Sequence, residues 1–176
     1  MDSWKGMLIG FLYGFIICGL LYGLMFYWYG HTLSNALVYI SHSYQGLPAG
    51  MDTQTRFTFF IIFSISSMLF SPIGEEFFYR GFIHENFALN SGATAASVLD
   101  SLAFSLVHLA HFGFVYHQGE WSFLPLPAIV WAVALFVSCL LFYKARVQSG
   151  SIWGAVLAHA AFNLSMNYFI FYRILG

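Results

Sequence analysis

The chain reads as an all-α protein: a polytopic membrane bundle of about five transmembrane helices with a polar site buried between the second, third and fifth. Three observations predict this. Hydrophobic residues make up 60% of the chain against roughly 45–50% in soluble domains, and the mean hydropathy is +0.74. Only six Lys and Arg and seven Asp and Glu occur in 176 residues, too few to cover a water-facing surface without large apolar patches. The apolar residues also gather in runs of the ~20 residues needed to span a hydrocarbon core. The net charge of −1 offers no basic field for nucleic acid. Cys18 and Cys139 both lie within apolar runs, so no disulfide framework is expected.

The first apolar run covers residues 4–29. It is too long for a signal-peptide core and no small-residue cleavage site follows it, so it reads as a retained transmembrane helix. Residues 30–52 break the pattern with His31, Asn35, His42, Gln45, Pro48, Gly50 and Asp52, and read as an interfacial or re-entrant segment. The second helix is expected over 56–89, with a kink at Pro72–Gly74. Asn90-Ser91-Gly92 is a turn, and the third helix follows over 93–112. Residues 113–127, with Gly119, Glu120, Pro125 and Pro127, read as a loop. The fourth helix is expected over 128–146 and the fifth over 152–172, joined by Gln148-Ser149-Gly150-Ser151. The whole of 1–176 forms one integral-membrane domain without repeats. Lys5, Arg80, Lys144 and Arg146 fall on one side of such a bundle and Arg56 and Arg173 on the other, which places the N-terminus in the cytoplasm.

Against this background Ser71-Pro72-Ile73-Gly74-Glu75-Glu76-Phe77-Phe78-Tyr79-Arg80 stands out. Each ionisable group costs on the order of 3 kcal/mol or more at the bilayer centre, which makes it a functional hypothesis. His108, His159 and Asn163 lie in two other apolar runs. Glu75 and His108 are equidistant from the turn at Asn90–Gly92, so an antiparallel hairpin sets them at one depth. His159 follows Ser151 by only eight residues. It meets the pair if the second–third hairpin protrudes about 10 Å beyond the bilayer, or bends. Each residue also has a plainer reading. Glu76 and Arg80, spaced i,i+4, can form a structural ion pair, with Asp100 close enough in depth to share the charge. Glu75 can be half of another pair. His108, or His159 with Asn163, can be hydrogen-bonding links between helices, and His111 can support the site or lie at the interface. The combination of carboxylate, imidazole, and imidazole plus amide on three helices favours a functional site.

These residues form three ordered motifs: Glu-Glu-x-x-x-Arg at Glu75, Glu76 and Arg80; Phe-x-x-x-His at Phe104 and His108; and His-x-x-x-Asn at His159 and Asn163. In this order and in hydrophobic segments they resemble the CAAX protease and bacteriocin-processing (Abi) family of glutamic-type intramembrane proteases. The resemblance covers residues 56–172, the protease core, and leaves 4–29 as an added N-terminal helix on what resembles a minimal prokaryotic form. It implies hydrolysis of a peptide bond in a membrane-embedded or membrane-anchored peptide or protein, for maturation or for removal of a sorting signal or anchor. It further implies the prokaryotic cytoplasmic membrane, with the lipid bilayer as partner and no cofactor or metal. The residue chemistry fits. Low-dielectric surroundings bring a carboxylate towards the range useful in general base and acid work. Glu75 is the candidate base, with His108 sharing the water and Glu76 and Arg80 orienting Glu75. His159 and Asn163 can both donate to one oxyanion.

Two other readings stay open. Glu75, His108 and His159, with a water, are ligands that zinc accepts, although the chain has no His-Glu-x-x-His and His108 and His111 are spaced i,i+3. Buried Glu and His also serve proton relays, which suits a non-enzymatic immunity protein, scaffold or transporter subunit.

Overall fold

The computed structural model of the protein describes residues 3–44, 46–48 and 50–176; Gln45 lies outside the described residues. Helix α1, Ser3–Tyr29, buries a stripe of Gly6, Gly10, Gly14, Cys18, Leu21 and Met25. The glycines allow backbone-to-backbone approach, as at many membrane helix contacts. A Cβ on Gly10 would lie 2.8 Å from Ala145 Cβ and 2.9 Å from the Gly154 carbonyl, and one on Gly14 would collide with the Ala158 carbonyl. The first helix is thus built into the bundle, against α5 (Pro125–Ser149) and α6 (Ile152–Phe169).

The polar break contains a short helix, α2, Ala36–Ser41. Asn35 caps it: its Oδ1 accepts from the Leu37 amide at 3.1 Å and its Nδ2 donates to the Gly30 carbonyl at 2.7 Å. Asn35, Ala36 and Leu37 are fully buried, which fixes this segment over one end of the bundle.

Helix α3, Thr53–Glu76, begins at Asp52, whose carboxylate accepts from the Thr55 amide at 2.9 Å and hydroxyl at 2.7 Å. Those bonds hold the Asp52 carboxyl below its ordinary range. The helix passes through Pro72 in α-helical form. The change of winding comes later, as a π-helical stretch over Phe77–Ile83 that leads into α4, His84–Val107. Within α4 the chain reverses at Gly92, whose φ of 77° lies in the left-handed region that glycine tolerates. Most of residues 85–95 are exposed. Arg146, in the last turn of α5 (Pro125–Ser149), binds the Arg80 carbonyl and Glu85. The end of α5 is therefore level with residues 80–85, and the hairpin tip projects beyond it.

After His108–Ala110, a 3₁₀ turn, the expected loop is instead a β-hairpin: β1, Phe114–His117, pairs antiparallel with β2, Glu120–Phe123. Gln118 and Gly119 both have positive φ, 52° and 88°, the conformation of a tight two-residue hairpin turn. Cross-strand ring pairs Phe114–Phe123 and Tyr116–Trp121 support it. Helix α5 starts at Pro125, earlier than expected, because proline is accommodated in a first helical turn. Helix α6, Ile152–Phe169, capped by Ser151, ends in a π-helical turn over Ile170–Ile174.

Among the described residues three helical runs are long and apolar enough to cross a membrane: Ser3–Tyr29, Thr53–Ala110 and Pro125–Ser149, the second folded back on itself at Gly92. α6 is the central element, enclosed by α1, α3 and α5; its Gly154, Ala155, Ala158, Ala160 and Ala161 are buried. α3 packs on α6, and α4 packs on α5. Beyond the π-helical stretch α3 and α4 scarcely touch each other, and a cavity lies between them.

Candidate active site

The cavity has a volume of about 520 Å³ and is walled by α3 (Ser67, Ser71, Glu75), the end of α4 (Phe104, His108), α5 (Trp131, Leu135, Phe142) and α6 (His159, Asn163, Asn167). Residues Tyr39 to Tyr44, from α2 and the turn after it, cover one side.

The two adjacent glutamates part company, because successive helical residues point about 100° apart. Glu75 faces the cavity with 28% of its side chain exposed. Its Oε1 accepts from the Ser71 hydroxyl at 2.6 Å. Its Oε2 has no hydrogen-bond partner and faces Nε2 of His108 at 3.7 Å and Nε2 of His159 at 4.0 Å. Glu76 is fully buried. Its Oε1 accepts from Nδ1 of His159 at 2.8 Å, and its Oε2 lies 3.3 Å from Nε of Arg80. The expectation that Glu76 orients Glu75 is thereby corrected: Ser71 holds Glu75, and Glu76 holds His159.

Both imidazoles are fixed. His108 donates from Nδ1 to the Phe104 carbonyl at 2.8 Å and stacks on the Phe104 ring at 4.1 Å between centroids. His159 stacks on Phe142 at 5.1 Å. With each Nδ1 committed as a donor, each Nε2 is directed at Glu75. The gaps of 3.7 and 4.0 Å are longer than direct hydrogen bonds. Asn163, one turn beyond His159, donates from Nδ2 to the Ser67 carbonyl at 2.9 Å, which uses one of its two amide hydrogens.

Behind this layer Arg80 is fully buried, its guanidinium 4.7 Å over the Phe104 ring. Its Nε is 3.7 Å from Asp100 Oδ1, so Asp100 does share its charge, and Asp100 Oδ2 is 2.7 Å from Nδ1 of His84. His111 lies beside His108, rings 5.0 Å apart. Among the described residues no group of three or more His, Cys, Asp or Glu side chains has metal-holding geometry, and Cys18 and Cys139 are free thiols.

Of the six residues singled out from the sequence, Glu75, His108, His159 and Asn163 line one cavity, and Glu76 and Arg80 are fully buried behind it. Sequence reasoning missed Ser71, Phe142, and the ladder in which Asn167 donates to the Ser67 hydroxyl at 2.8 Å and accepts from Tyr44 at 3.1 Å. Ser64, Ser67 and Ser71 recur at intervals of three and four, and Asn163 and Asn167 are four apart. That periodicity is the signal that could have found them.

An apolar helical bundle with charged and imidazole groups converging on an internal cavity defines an integral membrane protein with a polar site inside the bundle. The family model for type II CAAX prenyl endopeptidase Rce1-like proteins matches residues 57–165, a stretch that contains all six residues, and the chain belongs to that family of membrane proteases. No curated protein and no solved structure matches the chain.

Proposed function

We propose that the protein is a glutamic-type intramembrane endopeptidase that cleaves a membrane-associated peptide or protein by a metal-independent route, in a prokaryotic cytoplasmic membrane. The observation that carries the reading is the unpartnered Glu75 Oε2, faced by two oriented imidazole nitrogens at 3.7 and 4.0 Å. A water placed there meets a carboxylate that can take its proton and an Nε2 lone pair of His108 that can align it. As the water oxygen adds to the scissile carbonyl carbon, its proton passes to Glu75. The negative charge then grows on the carbonyl oxygen.

His159 and Asn163 are the donors proposed for that oxyanion. Because Nδ1 of His159 already donates to Glu76, donation from Nε2 requires the doubly protonated ring, whose Nδ1–H keeps its charge-assisted bond to the Glu76 carboxylate. Asn163 contributes its second amide hydrogen. Glu75 then returns the proton to the amide nitrogen as the C–N bond breaks. The cavity is bordered by α3 and α4, which make few contacts with each other, and entry between them would suit a substrate held in the bilayer.

The test is cleavage of an internally quenched peptide ending in a farnesylated Cys-aliphatic-aliphatic-X sequence, and of its unprenylated form, by pure protein in liposomes. Hydrolysis should persist in a strong chelator and vanish in Glu75→Gln. Loss of activity in the chelator with restoration by zinc would establish the metalloprotease instead. Undiminished biological activity of Glu75→Gln in cells would establish a non-enzymatic role.

A further inference from the structure

A second layer of buried charge lies behind the proposed site, and the chemistry above does not use it. Asp100 is fully buried and His84 nearly so. Asp100 Oδ2 holds Nδ1 of His84 at 2.7 Å, and Asp100 Oδ1 faces Nε of Arg80 at 3.7 Å. Glu76 faces that same Nε at 3.3 Å from the other side. Two carboxylates therefore compete for one guanidinium in a low-dielectric interior, where such interactions are strong and coupled. The far oxygen of Glu76 accepts from His159. The chain of contacts is unbroken from His84 through Asp100, Arg80 and Glu76 to the imidazole that faces Glu75.

We propose that His84 and Asp100 are positioning residues for the reaction, acting through Arg80 on Glu76 and thereby on His159. The inference rests on the reading of His159 as an oxyanion donor. His84 restrains Asp100, and the restrained Asp100 leaves enough of Arg80's charge to Glu76. Remove the Asp100 charge and Arg80 turns wholly to Glu76, which becomes a weaker acceptor for His159. Remove His84 and Asp100 claims more of Arg80, leaving Glu76 a stronger acceptor. The two changes thus act on His159 in opposite senses. The other charged and titratable groups around this path are Tyr143, stacked beside His84 at 4.8 Å, the buried Cys139 thiol and Tyr79 beside Arg80, Arg146 and Glu85 at the outer end, and Glu75 and His108 at the inner end. A role confined to folding would move the folded yield but not the His159–Glu76 bond in the molecules that fold.

The experiment reads that bond directly. In full-length protein with isotopically labelled histidine, in detergent micelles, the His159 Nδ1–H held by Glu76 should give a strongly downfield proton resonance, assigned by its loss in His159→Gln. The resonance should move upfield in Asp100→Asn and downfield in His84→Gln, and the double variant should return towards wild type. On the farnesylated peptide Asp100→Asn, which leaves Glu76 a weaker acceptor for the donor form of His159, should lose about tenfold or more in kcat, with KM within about twofold. Asp100→Asn is nearly isosteric, so it and the double variant decide the matter if His84→Gln fails to fold. An unmoved resonance in folded Asp100→Asn overturns the proposal whatever the activity. So does a wild type without the resonance, or a moved resonance with wild-type kcat in Asp100→Asn. Full activity of Glu75→Gln would instead sink the protease reading and leave the resonance test standing.

Discussion

Glu75 and Glu76 are neighbours in sequence and opposites in surroundings. Glu76 is sealed from solvent, its Oε1 bonded by His159 at 2.8 Å and its Oε2 ion-paired, without a hydrogen bond, 3.3 Å from Nε of Arg80. Glu75 is held at one oxygen, by Ser71 at 2.6 Å, and its other oxygen is buried without a partner beside the cavity. A carboxylate fixed on both sides is structural in effect: it orients a neighbour. A carboxylate with one oxygen held and one waiting can take up a proton, since one lone pair stays available while the group is kept in place. In the proposed mechanism two copies of one side chain thus acquire different work from a rotation of about 100°.

The comparison is broken most severely at Glu75. Glu75→Gln keeps the shape and the bond to Ser71 but cannot take a proton. It should lower turnover by about 10³-fold or more with no loss of thermal stability, a contribution of the size general base catalysis makes. Turnover within about threefold of wild type in liposomes would remove Glu75 from the base role.

The opposite signature is expected on the Glu76 side. Arg80→Met leaves Glu76 and Asp100 as uncompensated buried charges, and breaking a buried pair costs roughly 3–5 kcal/mol. Folded yield and melting temperature should fall together with activity. A variant with unchanged melting temperature and normal rate would show that the ion pair does not form.

Between these extremes lie His159 and Asn163. His159→Ala and Asn163→Ala should each lower kcat by about two orders of magnitude with little change in KM, as for loss of an oxyanion donor. The double variant should lose less than the product, because both act on one oxygen. Folded fraction and kcat measured on the same samples separate this from a helix-linking role, which predicts lower stability and an unchanged rate per folded molecule.

The sequence revealed most where burial is expensive. Charges are so rare in this chain that Glu75, Glu76 and Arg80 marked the site without any structure. Counting residues from the turn at Asn90–Gly92 placed His108 opposite Glu75. The hairpin tip is exposed and extends past Arg146, and His159 faces Glu75 at 4.0 Å. What stayed hidden was of two kinds. Direction around a helix was not resolved, so Glu76 was assigned to Glu75 when it serves His159. Cheap polar groups were also passed over: a serine in a membrane helix bonds its own backbone at little cost, so Ser67 and Ser71 carried no alarm. The β-hairpin at Phe114–Phe123 was missed because Gln-Gly is a weaker turn signal than Asn-Gly or Asp-Gly.

Ser71 offers the gentlest test of the contrast between the glutamates. It is one turn before Glu75 on α3, and its hydroxyl donates to the Oε1 that does not face the histidines. Ser71→Ala removes that donor and leaves a methyl group in nearly the same space. Glu75 keeps its charge and its place on the helix, but its carboxylate can rotate away from the line to His108. A net hydrogen bond to a charged group is worth about 1.5–3 kcal/mol, and rotation spends only part of that. kcat should therefore fall by about five- to twentyfold, with KM and melting temperature nearly unchanged. Ser71→Thr retains the hydroxyl and should recover most of the rate if the added methyl fits the cavity wall. If Ser71→Ala were as active as wild type, Glu75 would be positioned by the helix alone. If it were as inactive as Glu75→Gln, the serine would belong to the reacting groups rather than to their support.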